Sequence, residues 1–249
     1  MLPSPELAPF IHHFWSVRWA LRTPFVAEAL PHPAAQITLE EGAPGDEAPA
    51  CLAQLAGVRT GRFAKSRVGD GQAFGIAFRP AMFQPPLRAS MASLTDRIVP
   101  LANVLGPEAD AWARAVLAAP ELGAKIALAS AFLEPRLLPS RPRMERLRDL
   151  VERIGADRAI LRVEDASEMF GVDARALQRC FRRYVGVSPK QVIQRYRLLE
   201  AAEQLRGRRP PALASLAASL GYADQSHFAR EFKLVVGQTP RSFARVWGA

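Results

Sequence analysis

The stretch GYADQSHFAREFK, Gly221 to Lys233, carries the side chains best suited to hydrogen-bond chemistry. At about 100° per residue, Phe228 and Phe232 lie on the inward side of a helix. The opposite side carries a polar stripe spaced i, i+4, i+7 and bordered near the helix start by a glutamine: Ser226, Arg230, Lys233 and Gln225. Arginine can pair bidentately with guanine and glutamine with adenine, and lysine contacts phosphate. The stripe therefore predicts a helix that reads the major groove of DNA, although solvent-exposed helix faces often carry such charges without any partner.

A second copy of this unit lies upstream. ALQRCFRRYVGVSPKQV (176–192) aligns with HFAREFKLVVGQTPRSF (227–243) at an offset of 51 residues, and SEMFGV (167–172) aligns with AASLGY (217–222) at an offset of 50. The outward polar set of the first copy is Arg175, Gln178, Arg179, Arg182 and Arg183. Two helices with one inward scaffold and unlike outward side chains are what readout of a DNA sequence requires.

Each copy also carries the signals of a tight turn between two helices. A glycine, Gly171 or Gly221, ends the first helix, and an aspartate, Asp173 or Asp224, stands where the N-cap of the second is wanted. The sequence therefore predicts two helix-turn-helix units. Between them, residues 189–207 read as one helix that spans roughly 20–25 Å, enough to hold the reading helices about one DNA turn apart.

Residues 144–247 resemble the DNA-binding domain of AraC/XylS-type transcription regulators, and GYADQSHFAREFKLVVGQTPRSFAR is similar to that family's signature over its full length. The resemblance implies two helix-turn-helix motifs that bind double-stranded DNA at asymmetric promoter-proximal sites and act on the transcription machinery. The base and phosphate contacts that it implies fall on Arg175, Gln178, Arg179, Arg182, Gln225, Ser226 and Arg230.

Charge divides the 249-residue chain in two. Residues 1–140 hold equal numbers of basic and acidic side chains, so the net charge of +9 falls entirely in residues 141–249. Arginine-rich composition also follows from a GC-rich genome, which makes basicity weak evidence by itself. We predict an α+β chain with an N-terminal effector or dimerisation domain at 1–138, a linker at 139–143 and an AraC-type domain at 144–249. The last holds helix-turn-helix units at about 160–187 and 212–238 and a linker helix at about 189–206.

The N-terminal domain reads as strands followed by helices. QITLE and the alternation around Phe74, Ile76 and Phe78 predict strands, with a hairpin turn at Gly69-Asp70-Gly71, and helices are predicted at 107–119 and 121–134. A small β-barrel or cupin-like sheet is the expected architecture. Residues 61–83 resemble an N-terminal domain of a subset of the family, in which glycines follow the Phe-Arg-Pro turn; this chain has Ala81-Met82 there.

A ligand of this domain is harder to predict. His12, His13 and His32 do not form a convincing metal set, so we expect neither a metal nor another cofactor. The aromatic residues Phe10, Phe14, Trp15 and Trp19 are expected in a core or dimer contact rather than in a pocket, and Arg79 in a structural salt bridge rather than on an acidic effector. In this family such a domain senses a small molecule or mediates dimerisation; the helices at 107–134 are our candidate homodimer interface, and the effector is unidentified.

Several classes of protein are disfavoured. The sequence has no apolar run of about 18 residues and no secretory signal, and Cys51 and Cys180 read as reduced thiols, so we expect a cytoplasmic protein. Neither cysteine has the nearby base that a nucleophile needs, so no catalytic residue is predicted. Two alternatives remain: a nonspecific architectural DNA-binding protein, and a DNA-binding sensor with a fused enzymatic N-terminal domain.

Overall fold

The computed structural model describes residues 1–29, 32–42, 51–84, 86–87, 89–138, 140–207 and 209–247. Its N-terminal part contains one antiparallel sheet of order β1-β4-β2-β3-β5. The strands are β1 Ile11–Ala29, β2 Gln36–Gly42, β3 Cys51–Ala56, β4 Phe63–Phe78 and β5 Ile98–Pro100. Since β1 and β5 form its edges, the described strands make an open sheet, not a closed barrel.

The predicted hairpin turn at Gly69-Asp70-Gly71 is wrong. These residues lie inside β4, where they pair with Leu21, Ala20 and Trp19 of β1. Gly71 serves a different purpose, because a Cβ atom there would lie 2.4 Å from the Trp19 ring. Gly75 has the same relation to Trp15, at 1.9 Å. The glycines thus leave room for two tryptophan rings that lie across the strand pair.

Helices cover one face of the sheet. They are α1 Ala102–Leu105, α2 Glu108–Ala118 and α3 Leu122–Leu137, preceded by a 3₁₀ turn at Met91–Leu94. Phe10, Phe14 and Phe74 are buried in the core beneath them. Helix α3 continues through Pro135 to Leu137, three residues beyond its predicted end. A proline in the last turn removes only one helical hydrogen bond, which explains why the helix does not stop there.

The rest of the described chain is helical. Its helices are α4 Pro142–Ala156, α5 Val163–Phe170, α6 Ala174–Cys180, α7 Pro189–Arg206, α8 Leu213–Ser219, α9 Gln225–Val236 and α10 Pro240–Trp247. Helix α6 runs directly into a π-helical turn, Phe181–Val185. Helix α7 begins with the Ser188 hydroxyl accepting from Gln191 N–H and with Pro189 at its first position, both ordinary helix-start signals. Among the described helices, none combines the length and the apolar composition that a membrane-spanning helix requires.

The buried apolar side chains form two clusters that meet on α7. The first contains the sheet, its helices and the first helix-turn-helix unit, and it reaches Ile193 on α7. The second begins at Leu198 and contains the inward sides of α8, α9 and α10. The N-terminal domain thus shares a core with the first helix-turn-helix unit. The second unit has a core of its own.

Candidate nucleic-acid interface

The first helix-turn-helix unit is α5, a turn at Gly171, and α6. Gly171 adopts φ 74°, in the left-handed region that favours glycine, and Val172 N–H donates to the Ser167 carbonyl at 3.2 Å. The Asp173 carboxylate then accepts from Ala176 N–H at 2.8 Å. That hydrogen bond, with a smaller one from Arg175 N–H, lowers the pKa of Asp173. The predicted N-cap is therefore present.

The second unit, α8 and α9, repeats this geometry. Gly221 adopts φ 79°, and Tyr222 N–H donates to the Ala217 carbonyl at 3.0 Å. Asp224 accepts from His227 N–H at 2.8 Å, which is the main cause of its lowered pKa. Ala223 is the one extra residue in this turn. The duplication read from sequence is thus a duplication of turn, cap and inward packing.

The two helices bury equivalent side chains and expose the predicted polar ones. Leu177 and Phe181 in the first unit, and Phe228 and Phe232 in the second, are fully buried. The exposed predicted residues are Arg175, Gln178, Arg179, Arg182 and Arg183 on the first helix, and Gln225, Ser226, Arg230 and Lys233 on the second. We call these the first and second reading stripes. Both are open to solvent and both carry donors, but only the first is dominated by arginine.

A basic concavity lies beside the first reading stripe. It has a volume of about 460 Å³ and is lined by Ala89, Ser90, Arg179, Arg182 and Arg183. Three guanidinium groups around one concavity favour an anion such as a phosphate group. Ala89 and Ser90 come from the N-terminal domain, so that domain lies beside the reading stripe.

Helix α7 holds the first unit through a buried arginine. Arg197 is 2% exposed, and its guanidinium donates to the carbonyls of Ile154, Asp157 and Ile160 at 3.0, 2.6 and 3.2 Å. It also pairs with Glu200 at 2.9 Å. The α4–α5 loop is therefore tied to α7 by several charge-assisted hydrogen bonds.

Helix α7 holds the second unit through Glu231 on α9. This carboxylate accepts from the Tyr222 hydroxyl at 3.0 Å and from the Gln194 amide on α7 at 3.3 Å, and the His227 ring lies 3.3 Å away. Burial, and next the Glu231 charge, raise the pKa of Tyr222. His227 thus contacts a carboxylate and the Tyr222 ring.

The N-terminal domain contains the predicted salt-bridge arginine, the histidines considered for a metal site and the Phe-Arg-Pro turn. Arg79 pairs with Glu152 on α4 and also donates to the Ala8 carbonyl, so it forms the expected structural salt bridge. His12 and His13 contact each other through their Nδ1 atoms at 2.7 Å. Within the described residues, no three His, Cys, Asp or Glu side chains are grouped to hold a metal ion. Ala81 adopts φ 66°, the conformation for which glycine is favoured.

The cysteines and the predicted linker are only partly described. Cys180 is a half-buried free thiol on the first reading helix, whereas the side chain of Cys51 lies outside the described residues. Pro139 in the predicted linker also lies outside them, as do the last two residues, Gly248 and Ala249.

Sequence reasoning missed two buried arginines, Arg195 and Arg197 of α7. Helix α7 buries residues on several sides, so that no single apolar stripe marks its buried positions. The signal in the sequence was weak, because an arginine is usually exposed unless paired. The contacts of Ser90 and Thr95 with the first unit were missed as well.

Two family models match different parts of the chain. Residues 166–245 match the family model described as a helix-turn-helix domain, and residues 1–100 match a domain of unknown function, DUF6597. Among curated proteins, the HTH-type transcriptional activator RhaS of Pectobacterium atrosepticum is 29% identical over 76 residues, which cover 30% of this chain and 27% of that protein. RhaS of Escherichia fergusonii is 31% identical over 78 residues, covering 31% and 28%. The match thus spans little more than a quarter of the length of these relatives.

Two solved structures illustrate the structural likeness. A transcriptional regulator of Chromobacterium violaceum with an AraC-type DNA-binding domain is 24% identical, with 40% of this chain and 89% of that chain covered and a TM-score of 0.37. ToxT of Vibrio cholerae is 11% identical, with 95% and 99% covered and a TM-score of 0.47.

Proposed function

We propose that this chain, which belongs to the AraC/XylS family of transcriptional regulators through its C-terminal helix-turn-helix domain, binds specific DNA sequences by reading two successive major-groove segments. The observation that carries the proposal is the pair of exposed reading stripes on one duplicated scaffold. Each stripe lies on a helix that is N-capped by an aspartate and fixed by buried apolar residues.

The unlike composition of the stripes supports specific readout. The first offers four arginines and Gln178, which suit guanine, adenine and phosphate. The second combines Gln225, Ser226 and Arg230 with Lys233, whose point charge suits a phosphate. A nonspecific architectural protein needs only backbone contacts, which similar basic stripes would provide.

Each of the domains predicted from sequence has its own role in this proposal. Residues 144–249 bind DNA, residues 1–138 modulate that binding, and residues 139–143 connect them. The modulation has a physical route, because the N-terminal domain contacts the end of the first reading helix. A small-molecule effector, whose identity is open, would act through this domain, and the bound regulator would then act on the transcription machinery.

Dimerisation is proposed through α3. Its solvent-exposed face is apolar and uncharged over three turns and consists of Ala124, Ala127, Leu128, Ala131 and Pro135. Exposed apolar faces of this kind commonly mark interfaces between proteins.

Selection from randomised duplexes tests the function. The full chain is incubated with a duplex library that has about 25 random positions, and the bound DNA is sequenced over several rounds. We expect one enriched asymmetric motif with two conserved blocks about one helical turn apart. Equal retention of all sequences would instead indicate the architectural alternative, and the absence of binding would overturn the proposal.

A further inference from the structure

The N-terminal domain contacts the end of the first reading helix. Thr95 donates through its hydroxyl to the Gly186 carbonyl at 2.6 Å, and Ser90 donates to the Arg182 carbonyl at 2.8 Å. Gly186 is buried against this segment, since a Cβ atom on it would lie 3.1 Å from the Met91 carbonyl oxygen. Residues 90–96 therefore cap the carbonyl end of that helix, where its own backbone offers no donors.

The same segment is tied to a second one, residues 57–62. The two carboxylate oxygens of Asp96 accept from Thr60 N–H at 2.7 Å and from the Thr60 hydroxyl at 2.6 Å. Asp96 N–H donates to the Val58 carbonyl at 3.0 Å. Asp96 adopts φ 57°, a conformation that is unfavourable for most non-glycine residues and that these three hydrogen bonds hold in place.

Segment 57–62 contacts α7 and the second helix-turn-helix unit. Arg195 of α7 is 7% exposed and donates to the carbonyls of Arg59 and Thr60 at 2.8 and 2.6 Å. The side chain of Arg62 lies against Gly237, which ends the second reading helix, so closely that a Cβ atom on Gly237 would lie 2.5 Å from Arg62 Cδ. The contacts therefore run without a break from one reading helix to the other.

Arg195 lies on α7 at the boundary between the two apolar clusters. It lies between Ile193, which belongs to the first apolar cluster, and Leu198, which belongs to the second. Because the two clusters are separate, α7 would otherwise be the main link between the two helix-turn-helix units. A second link closes a loop of contacts and restricts bending and twisting about α7.

We infer that segments 57–62 and 90–96, which we call the interdomain bridge, fix the relative orientation of the two reading stripes, with Arg195 and Thr60 as its positioning residues. The inference rests on the proposed function, since a fixed orientation matters for a duplex that both stripes contact. The bridge preorganises the chain for one spacing of half-sites, and so favours that spacing in affinity.

The first test measures tolerance to half-site spacing. Duplexes carry the motif selected by the full-length chain with its original spacing or with one base pair inserted between the two blocks. Thr60→Val removes the hydroxyl donor to Asp96 at nearly constant shape, and Thr60→Ser is the matched control that keeps it. Arg195→Met removes the donors to both carbonyls.

We expect the insertion to weaken binding of the wild type and of Thr60→Ser by about tenfold, and that of Thr60→Val and Arg195→Met by threefold or less. The latter two variants should also bind the original spacing several-fold more weakly. An unchanged spacing penalty in Thr60→Val would overturn the inference.

The second test needs no DNA. Spin labels are placed at exposed positions of each unit outside the reading stripes, through Glu168→Cys and Arg241→Cys in a background with Cys51→Ser and Cys180→Ser. Pulsed electron spin resonance should give one narrow distance distribution for the wild type and Thr60→Ser, and a clearly broader one for Thr60→Val and Arg195→Met. Equal widths in all four proteins would contradict the bridge.

The two tests separate the two proposals. If the full-length chain selects a motif but the bridge variants change neither the spacing penalty nor the distances, the bridge is wrong and the function stands. If no motif is selected but the distances broaden, the bridge is right as structure and the proposed function is wrong.

Discussion

The Arg197 guanidinium donates to the Asp157 carbonyl at 2.6 Å, which joins the helix between the two units to the loop that precedes α5. Arg197→Met would leave this carbonyl and two others without their buried donor. We expect the free energy of unfolding to fall by about 2–4 kcal/mol, measured by urea denaturation. The control is Lys190→Met at an exposed position of the same helix, which should change it by less than about 0.5 kcal/mol. An equal effect of both variants would contradict the role given to Arg197.

Arg230 and Lys233 lie one helical turn apart on the second reading stripe, and their replacements should differ in kind. Arg230→Ala should weaken binding to the selected motif by about 1–3 kcal/mol and relax the preference at one base position. Lys233→Ala should weaken binding to all sequences alike. It should also make the slope of log binding constant against log salt concentration less steep by about one. Both are measured by titration at several salt concentrations, with Arg114→Ala in the N-terminal domain as the control. A loss below about 0.3 kcal/mol for Arg230→Ala would mean that the stripe is misassigned.

The N-cap aspartates should make the thermal stability of the chain depend on pH. The pKa of Asp224 is lowered in the folded chain, mainly by its hydrogen bond from His227 N–H. Its contribution is therefore complete above the unfolded pKa of about 3.9 and is lost as the pH falls through the lower folded value. Asp224→Ala should lower Tm most near pH 7 and progressively less below pH 4. Asp224→Asn, which still accepts a hydrogen bond but does not titrate, should retain most of the Tm at neutral pH. A Tm deficit of Asp224→Ala that stays constant from pH 7 to pH 3 would refute the charge contribution.

The exposed face of α3 predicts a dimer. We expect the full-length chain to sediment as a dimer at tens of micromolar, because Leu128, 41% exposed, lies on an apolar face. Leu128→Glu should shift the protein to a monomer that keeps the far-UV circular dichroism of the wild type, since a charge there would have to be desolvated in the interface. Glu168→Ala, at an exposed position of α5, should leave the dimer unchanged. A monomeric wild type at these concentrations would remove this interface from the proposal.

The sequence predicted those features that depend on local chemistry. Asp173 and Asp224 cap their helices as expected, because a cap requires only a carboxylate and the amides two or three residues further on. The buried side of α9 followed from the spacing of Phe228 and Phe232. The exposure of both reading stripes followed from the same periodicity, whereas their contacts with DNA stay a prediction.

The features that sequence reasoning missed depend on distant parts of the chain. Gly71 has the residue type of a turn, and its actual role is clear only from Trp19, the residue on β1 with which it pairs. Arg195 reads as exposed until the carbonyls of the segment 57–62, more than 130 residues away, are seen to accept from it. Periodicity within one helix contains no information on such contacts, because they depend on how the domains pack.

The central claim is that two unlike stripes read two segments of one duplex, and hydroxyl-radical footprinting on the selected motif tests it most directly. The full-length chain should protect two segments on one face, centred about 10 base pairs apart. Arg179→Ala should weaken protection and base preference in one segment, and Arg230→Ala in the other. A single protected segment, or the same base positions affected by both variants, would contradict the claim.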